Sequence, residues 1–259
     1  MMIHKHADIH PDARLGENVT IGPFTSIAGD VTIGEGTWIG PNVTIMDGTR
    51  IGKNCKIFPG AVIGAIPQDL KFEGEETTVE IGDNNTIREF VTINRGTKAA
   101  WKTVIGNHNL LMAYVHVAHD CEIGDHCILV NNASLAGEVK VYDWAILAGG
   151  ALVHQFVHVG SHVMVGGAGK VRKDVPPFVK ADRDPLSYMG VNSVGLRRRG
   201  FTNEKIREIQ DIYRTLYLKG YTVSQALEVI ENEFTQTPER DEILNFIRHS
   251  ERGIIRSGV

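Results

Sequence analysis

A period of six residues runs through most of this chain, and few folds can accommodate it. Stepping by six from Ile3 meets an aliphatic residue at every stop as far as Ile63. The series resumes at Ile81, Ile87 and Ile93, and again from Ile105 to Val171. Only Asp69, Glu75 and Ala99 interrupt it. A six-residue period fits neither an α-helix nor a simply alternating strand. It fits a short strand and a corner repeated many times, which is a β-solenoid with the aliphatic residue pointing inward. Gly often follows the aliphatic residue, as at Gly22, Gly34, Gly52 and Gly124, where it is expected to let the backbone turn. The residue two places before the aliphatic one shares the inward face and is small or β-branched, as at Val19, Thr25, Val31, Ala61 and Ala133. Cys55, Cys121 and Cys127 all fall in this slot, so they read as small buried side chains. Their odd number and spacing argue against a disulfide framework or a metal site.

The pattern stops after Val171, and Pro176 and Pro177 mark the change. From Thr202 the apolar spacing becomes helical. Ile206, Ile209, Ile212, Tyr213, Leu216 and Tyr217 form one stripe, with Thr202 or Asn203 as N-cap and Gly220 past the end. Thr222 with Gln225 predicts a capping box, and Thr237-Pro238 a third helix carrying Ile243, Leu244 and Ile247. A formal charge of −4 gives no global reason to expect nucleic-acid or membrane binding. No leader-like segment and no run long enough to span a bilayer is evident, so stable membrane insertion is not expected and the chain reads as cytoplasmic.

Interruptions of a stereotyped coil are where individual function can sit. Residues 65–80 leave the repeat with Gln68, Asp69 and Lys71, and residues 94–104 leave it with Arg95, Lys98 and Trp101. His116 and His119 occupy no inward slot and should project from the surface, with Asp120 beside the second. Imidazole suits removal of a hydroxyl proton near neutral pH, and a carboxylate can fix its tautomer. Acyl transfer to an alcohol also needs donors for an oxyanion, which exposed Gly N–H groups can supply.

The period resembles that of the hexapeptide-repeat acyltransferases. The resemblance implies a left-handed parallel β-helix over 1–185, with loops at 65–80 and 94–104, followed by an α-helical domain over 186–259. It also implies a homotrimer with active sites between subunits. The stretches PQDLKF, VTINRGT, LLMAYVHVAHDC, ILVNNASLAGEV, VHQF and GVNSVGLRRRGF narrow it to the UDP-N-acetylglucosamine O-acyltransferases of lipid A biosynthesis. That likeness implies transfer of a 3-hydroxyacyl chain from acyl carrier protein to the 3-hydroxyl of UDP-N-acetylglucosamine, without a metal or a separate cofactor beyond the carrier's phosphopantetheine. It places the general base on His119, its orienting carboxylate on Asp120 and the oxyanion donor on the Gly137 N–H. Gln68, Asp69, Lys71 and His116 would hold the sugar, and His154 and Gln155 the nucleotide sugar or the pantetheine arm. Asn192, Arg198 and Arg199 would grip the uridine and its diphosphate.

The residue that sets acyl length in relatives falls on Gly167, which implies an open groove and a longer chain. Two departures stand out: Glu138 follows Gly137 where such relatives have His, and Arg183-Asp184-Pro185 stands where they have another His. Lys170, Arg172, Lys173, Lys180 and Arg183 read either as a docking patch for the acidic carrier or as a solvated face. Three other readings compete. The related N-acyltransferases carry an additional N-terminal uridine-binding domain and usually Asn after the second His. A zinc enzyme like the γ-class carbonic anhydrases brings together three His, two of them five residues apart, and no His pair here has that spacing. The third is a non-catalytic scaffold.

Overall fold

The computed structural model describes residues 1–258. The chain winds into a left-handed parallel β-helix with three flat faces, which we call I, II and III. They begin with the strands Met2–Ile3, Asp8–Ile9 and Arg14–Leu15, and among the described residues they belong to sheets of twelve, nine and eight strands. Ile21 pairs with Ile39 and Ile39 with Ile57, so one coil consumes three hexapeptides and identical side chains stack one above another. Ile21, Ile39, Ile57, Ile63 and Ile87 are all buried in the bore. Each such side chain contributes about 1.5–3 kcal/mol relative to exposure. The three cysteines lie in the same core and are free, and burial pushes Cys121 and Cys127 up to about 12.

The corners follow one rule. The residue after the inward aliphatic donates its N–H to the next coil, as Gly22 does to Ile39 O at 2.8 Å. Two places further on, the N–H donates to the previous coil, as Phe24 does to His6 O at 2.9 Å. The residue between these two has no backbone acceptor, which is why Pro23, Pro41, Pro59 and Pro177 are tolerated there. The residue after it is left-handed, and the sequence fills that place with Asn42, His126, Trp144, Asp120 and Glu138 among others. Apart from Gly64 (φ 82°), the glycines that follow the aliphatic positions serve a different end from the one expected. Gly34 has no positive φ; a Cβ there would stand 2.5 Å from the Gly52 carbonyl carbon, so it is the close stacking of coils that excludes a side chain.

Both interruptions are narrower than the broken period suggests. Val62–Ala65 and Thr78–Ile81 are strands, as are Thr92–Asn94 and Lys102–Ile105, which leaves 66–77 and 95–101 as excursions. The solenoid also outlasts the period. Val175 pairs with Val159 and Ala181 with Val165, so the final coil is two residues short and the six-residue phase is lost while the winding continues.

Beyond it, Ser187–Val191 returns antiparallel and Arg256–Ser257 pairs with that strand, so the C-terminal part is not purely helical. Its helices are α1 (Ser193–Arg198), α2 (Asn203–Leu218), α3 (Val223–Glu233) and α4 (Pro238–Arg248). The last three begin at the predicted caps: Thr202, Thr222 with its reciprocal Gln225 bond, and Thr237 before Pro238. α1 was not foreseen. The helices close the end of the solenoid, where buried Tyr213 donates to Pro177 O at 2.5 Å and Ser161 to Glu242 Oε1 at 2.5 Å. The opposite end is open, with Met2 and Ile3 exposed.

Candidate active site

The corner between faces II and III carries the His-Asp pair. His119 takes the place whose N–H lacks a backbone acceptor, and Asp120 the left-handed place after it (φ 59°). His119 Nδ1 lies 2.8 Å from Asp120 Oδ2. A carboxylate only accepts, so Nδ1 carries the proton and Nε2 is left to act as a base. Asp120 is buried and held from several sides. Oδ1 receives the N–H groups of Thr97 at 2.9 Å and Ala100 at 3.2 Å, and Oδ2 receives the Thr97 hydroxyl at 2.6 Å. The Asp120 N–H donates to Thr103 Oγ1 at 2.9 Å. The His119 side chain is only 17% exposed, so it is more enclosed than a surface histidine.

One coil further along the same corner stands Gly137. A Cβ there would fall 2.5 Å from His119 Cε1 and 2.6 Å from Nε2, so the imidazole lies directly against its Cα. The Gly137 N–H makes no hydrogen bond within the described residues. The arrangement thus sets a base nitrogen beside an unused donor, the two groups needed to activate a hydroxyl and receive the charge on an attacked carbonyl.

His116 projects from face II, with Nδ1 2.8 Å from Thr92 Oγ1. Burial, reinforced by the neighbouring His119, moves its pKa downward, which favours its neutral form. A cavity of about 210 Å³ opens next to the pair and brings Asp69 and Lys71 from the first excursion to Thr97, Lys98 and Glu138. The two excursions are pinned together by Lys98, whose Nζ reaches Glu73 at 2.7 Å and whose N–H reaches Glu75 at 3.2 Å. Glu138 also lines a second cavity of about 320 Å³ with Asp120, Phe156, His158 and the C-terminal His249 and Arg252. Burial, then the charge of Asp120, raises the Glu138 pKa.

The other predicted residues are dispersed. Gln68 is exposed on the first excursion, outside the cavity lining. His154 and Gln155 are exposed, Gln155 lying one coil beyond Gly137. Gly167 is exposed at the corner between faces I and II, where a Cβ would make only ordinary contact, 3.6 Å from Gly149 O; the backbone does not require glycine there.

Asn192, Arg198 and Arg199 stand elsewhere. Asn192 is buried as the N-cap of α1, accepting from Gly195 N at 3.2 Å and donating to His162 O at 2.9 Å. Arg198 is exposed. Arg199 lies over Trp144, 5.2 Å from the ring centroid, and reaches His162 Nδ1 at 3.1 Å. Trp144 and His162 belong to the corner between faces III and I, so these residues do not meet His119 within one chain. The basic cluster is likewise divided: Lys170 is on face II and Lys180 on face I, and Lys170 pairs with Asp184 at 2.6 Å. A cavity of about 310 Å³ gathers Lys170, Arg172, Lys173 and Arg256 over Leu186 and Ile255.

Thr97 and Thr103 were missed in the sequence because their contacts to Asp120 cross 23 and 17 residues. For Gly137 a signal existed: one coil of eighteen residues from His119 arrives there. Among the described residues no group of three or more His, Cys, Asp or Glu could hold a metal ion, and no helix is long and apolar enough to cross a membrane.

Residues 174–255 match the family described as UDP-N-acetylglucosamine O-acyltransferase, domain 2, and residues 30–65 and 102–137 match the bacterial transferase hexapeptide repeat. An acyl-(acyl-carrier-protein)–UDP-N-acetylglucosamine O-acyltransferase of Paracidovorax citrulli is 52% identical over 98% of this chain and 99% of its own length. One from Chlorobaculum parvum is 53% identical over 97% and 96%. Among solved structures, a UDP-N-acetylglucosamine acyltransferase from Bacteroides fragilis superposes with a TM-score of 0.97 at 54% identity, covering 98% of this chain and 100% of its own. The Francisella novicida enzyme superposes with a TM-score of 0.96 at 42% identity, over 99% and 95%.

Proposed function

The chain belongs to the UDP-N-acetylglucosamine O-acyltransferase family, and on that premise we propose how its own residues carry the reaction. It transfers a 3-hydroxyacyl chain from acyl carrier protein to the 3-hydroxyl of UDP-N-acetylglucosamine, the first step of lipid A biosynthesis. His119 Nε2 takes the proton of the sugar hydroxyl as its oxygen attacks the thioester carbonyl. Asp120 holds the imidazole and supports the imidazolium that forms. The Gly137 N–H receives the charge on the tetrahedral oxygen. Collapse breaks the carbon–sulfur bond, and His119 returns its proton to the departing thiolate. The observation that carries this reading is the His119 ring lying against Gly137, whose N–H is unused.

Asp69, Lys71 and neutral His116 hold the glucosamine, with Gln68, His154 and Gln155 along its approach. Arg198 and Arg199 grip the diphosphate and Asn192 fixes the helix that presents them. That these residues lie at a different corner from His119 supports a site shared by two chains, as a homotrimer would provide. The outward row His116, Ser134, Leu152, Lys170 on face II leads from the base to the basic cavity, a path suited to the pantetheine arm of an acidic carrier. No cofactor is needed beyond that arm. Unpaired, buried thiols accord with a cytoplasmic location.

His119→Ala tests the reading. Turnover should fall by roughly 10³-fold, within the range of general-base removal, while the unfolding midpoint and UDP-sugar binding persist. Retention of the wild-type rate would overturn the assignment and favour a scaffold.

A further inference from the structure

The second interruption of the repeat supplies three of the donors that hold Asp120. Thr97 grips both carboxylate oxygens, Oδ1 through its N–H at 2.9 Å and Oδ2 through its hydroxyl at 2.6 Å. The hydroxyl also accepts the Ala99 N–H at 3.1 Å, which turns its own proton toward the carboxylate. Thr97 is 6% exposed, so water does not replace these bonds. Oδ2 is the same oxygen that faces His119 Nδ1 at 2.8 Å, so threonine and imidazole share one acceptor.

We propose that Thr97 is a positioning residue that fixes Asp120 and, by sharing its Oδ2, tempers how strongly the carboxylate supports a proton on His119. The inference rests on His119 being the base. A carboxylate oxygen that already receives a short hydroxyl bond offers less negative charge to the imidazolium, and removing that bond strengthens the pull on the proton. The other charged or titratable groups around the pair are His116 on face II, Glu138 one coil on, Asp69, Lys71, Glu75 and Lys98 around the smaller cavity, and Glu122, Lys140, His158, Asp174, His249, Glu251 and Arg252 around the larger one.

The test is the pH profile of kcat/KM for Thr97→Val and Thr97→Ser, with the KM for UDP-N-acetylglucosamine and the unfolding midpoint measured alongside. Thr97→Val should lower kcat about ten-fold, the scale of one hydrogen bond to a charged group. Its acid limb should move up by about half a pH unit, while the sugar KM stays within about two-fold. Thr97→Ser restores the hydroxyl and should bring kcat and the limb back to wild type. If the valine variant does not fold, Thr97→Ala takes its place. A wild-type limb and rate in the hydroxyl-free variant, or an equal loss in Thr97→Ser, would overturn the inference. His119→Ala keeps the two claims apart: an active His119→Ala breaks the base assignment itself, whereas an inactive one beside an unshifted Thr97→Val breaks only the role of Thr97.

Discussion

Two corners of the same solenoid share a backbone conformation and differ in what the next coil offers. At the corner between faces III and I, the N–H groups that lack backbone partners are capped one after another. Lys53 N donates to Asp83, Asp83 N to Asn107, Asn107 N to Asp125 and Asp125 N to Asp143, at 2.6–2.8 Å. Its left-handed places carry a stack in which His126 and Trp144 have ring centroids 4.1 Å apart, continued by His162 and Phe178. At the corner between faces II and III, the coil beyond Gly137 presents Gln155, which makes no bond to the Gly137 N–H. A repeated fold makes the same free donor at every turn that does not carry proline there. Where a side chain satisfies it the corner is stabilised, and where none does the donor remains for a ligand.

The largest expected effect comes from placing one methyl group at each corner. Gly137→Ala drives a Cβ into the His119 ring and should cut kcat roughly 100-fold, the scale of a lost oxyanion arrangement, with little change in stability. Gly124→Ala, at the capped corner, meets Asp143 and disturbs its bond to Asp125; it should cost about 1–3 kcal/mol of stability and leave kcat in place. Similar losses of activity in both variants would erase the distinction.

A second contrast uses the corner between faces I and II, where Gly167 has room for a side chain. Gly167→Met should move donor preference toward shorter acyl chains by about ten-fold in kcat/KM while folding normally. A panel of hydroxyacyl donors reads this directly, and an unchanged preference would remove Gly167 as the length-setting position.

The smallest effect is electrostatic. Burial, then the charge of Arg199, lowers the His162 pKa to about 4 from its ordinary 6.5. Between these values the unfolded chain binds a proton that the folded chain refuses. Stability from this group is therefore full above pH 6.5, falls as the pH drops toward 4, and changes no further below that. His162→Phe should flatten this part of the dependence of unfolding midpoint on pH, a difference of a few degrees. An identical slope would show that the capped corner does not sense acid through His162.

The coils were readable because each hexapeptide contributes one inward aliphatic at a fixed interval, and the helices because Thr202, Thr222 and Thr237 are strong caps. The left-handed places were not, since residues as different as Asn42, Trp144 and Asp120 share one conformation there. The final coil escaped because omission of two residues breaks the phase without breaking the pairing of Val165 with Ala181. In the candidate site, the contact of His119 with Asp120 is between neighbours and could be read directly. The hold of Thr97 on Asp120 depends on how an excursion folds back, which no local spacing encodes. Asn192, Arg198 and Arg199 could be named from a motif, but their remoteness from His119 within one chain emerges only from the coil geometry.

The fixed coil also quantises distance. Neighbouring strands in a sheet lie about 4.8 Å apart, so the three steps from His116 through Ser134 and Leu152 to Lys170 span about 14 Å. Loops can be lengthened gradually, as the two excursions show, but this span can change only by adding or deleting a whole turn. A donor whose reactive end and anchoring end differ in separation by less than one such step must adapt its own conformation, because the solenoid has no intermediate length to offer.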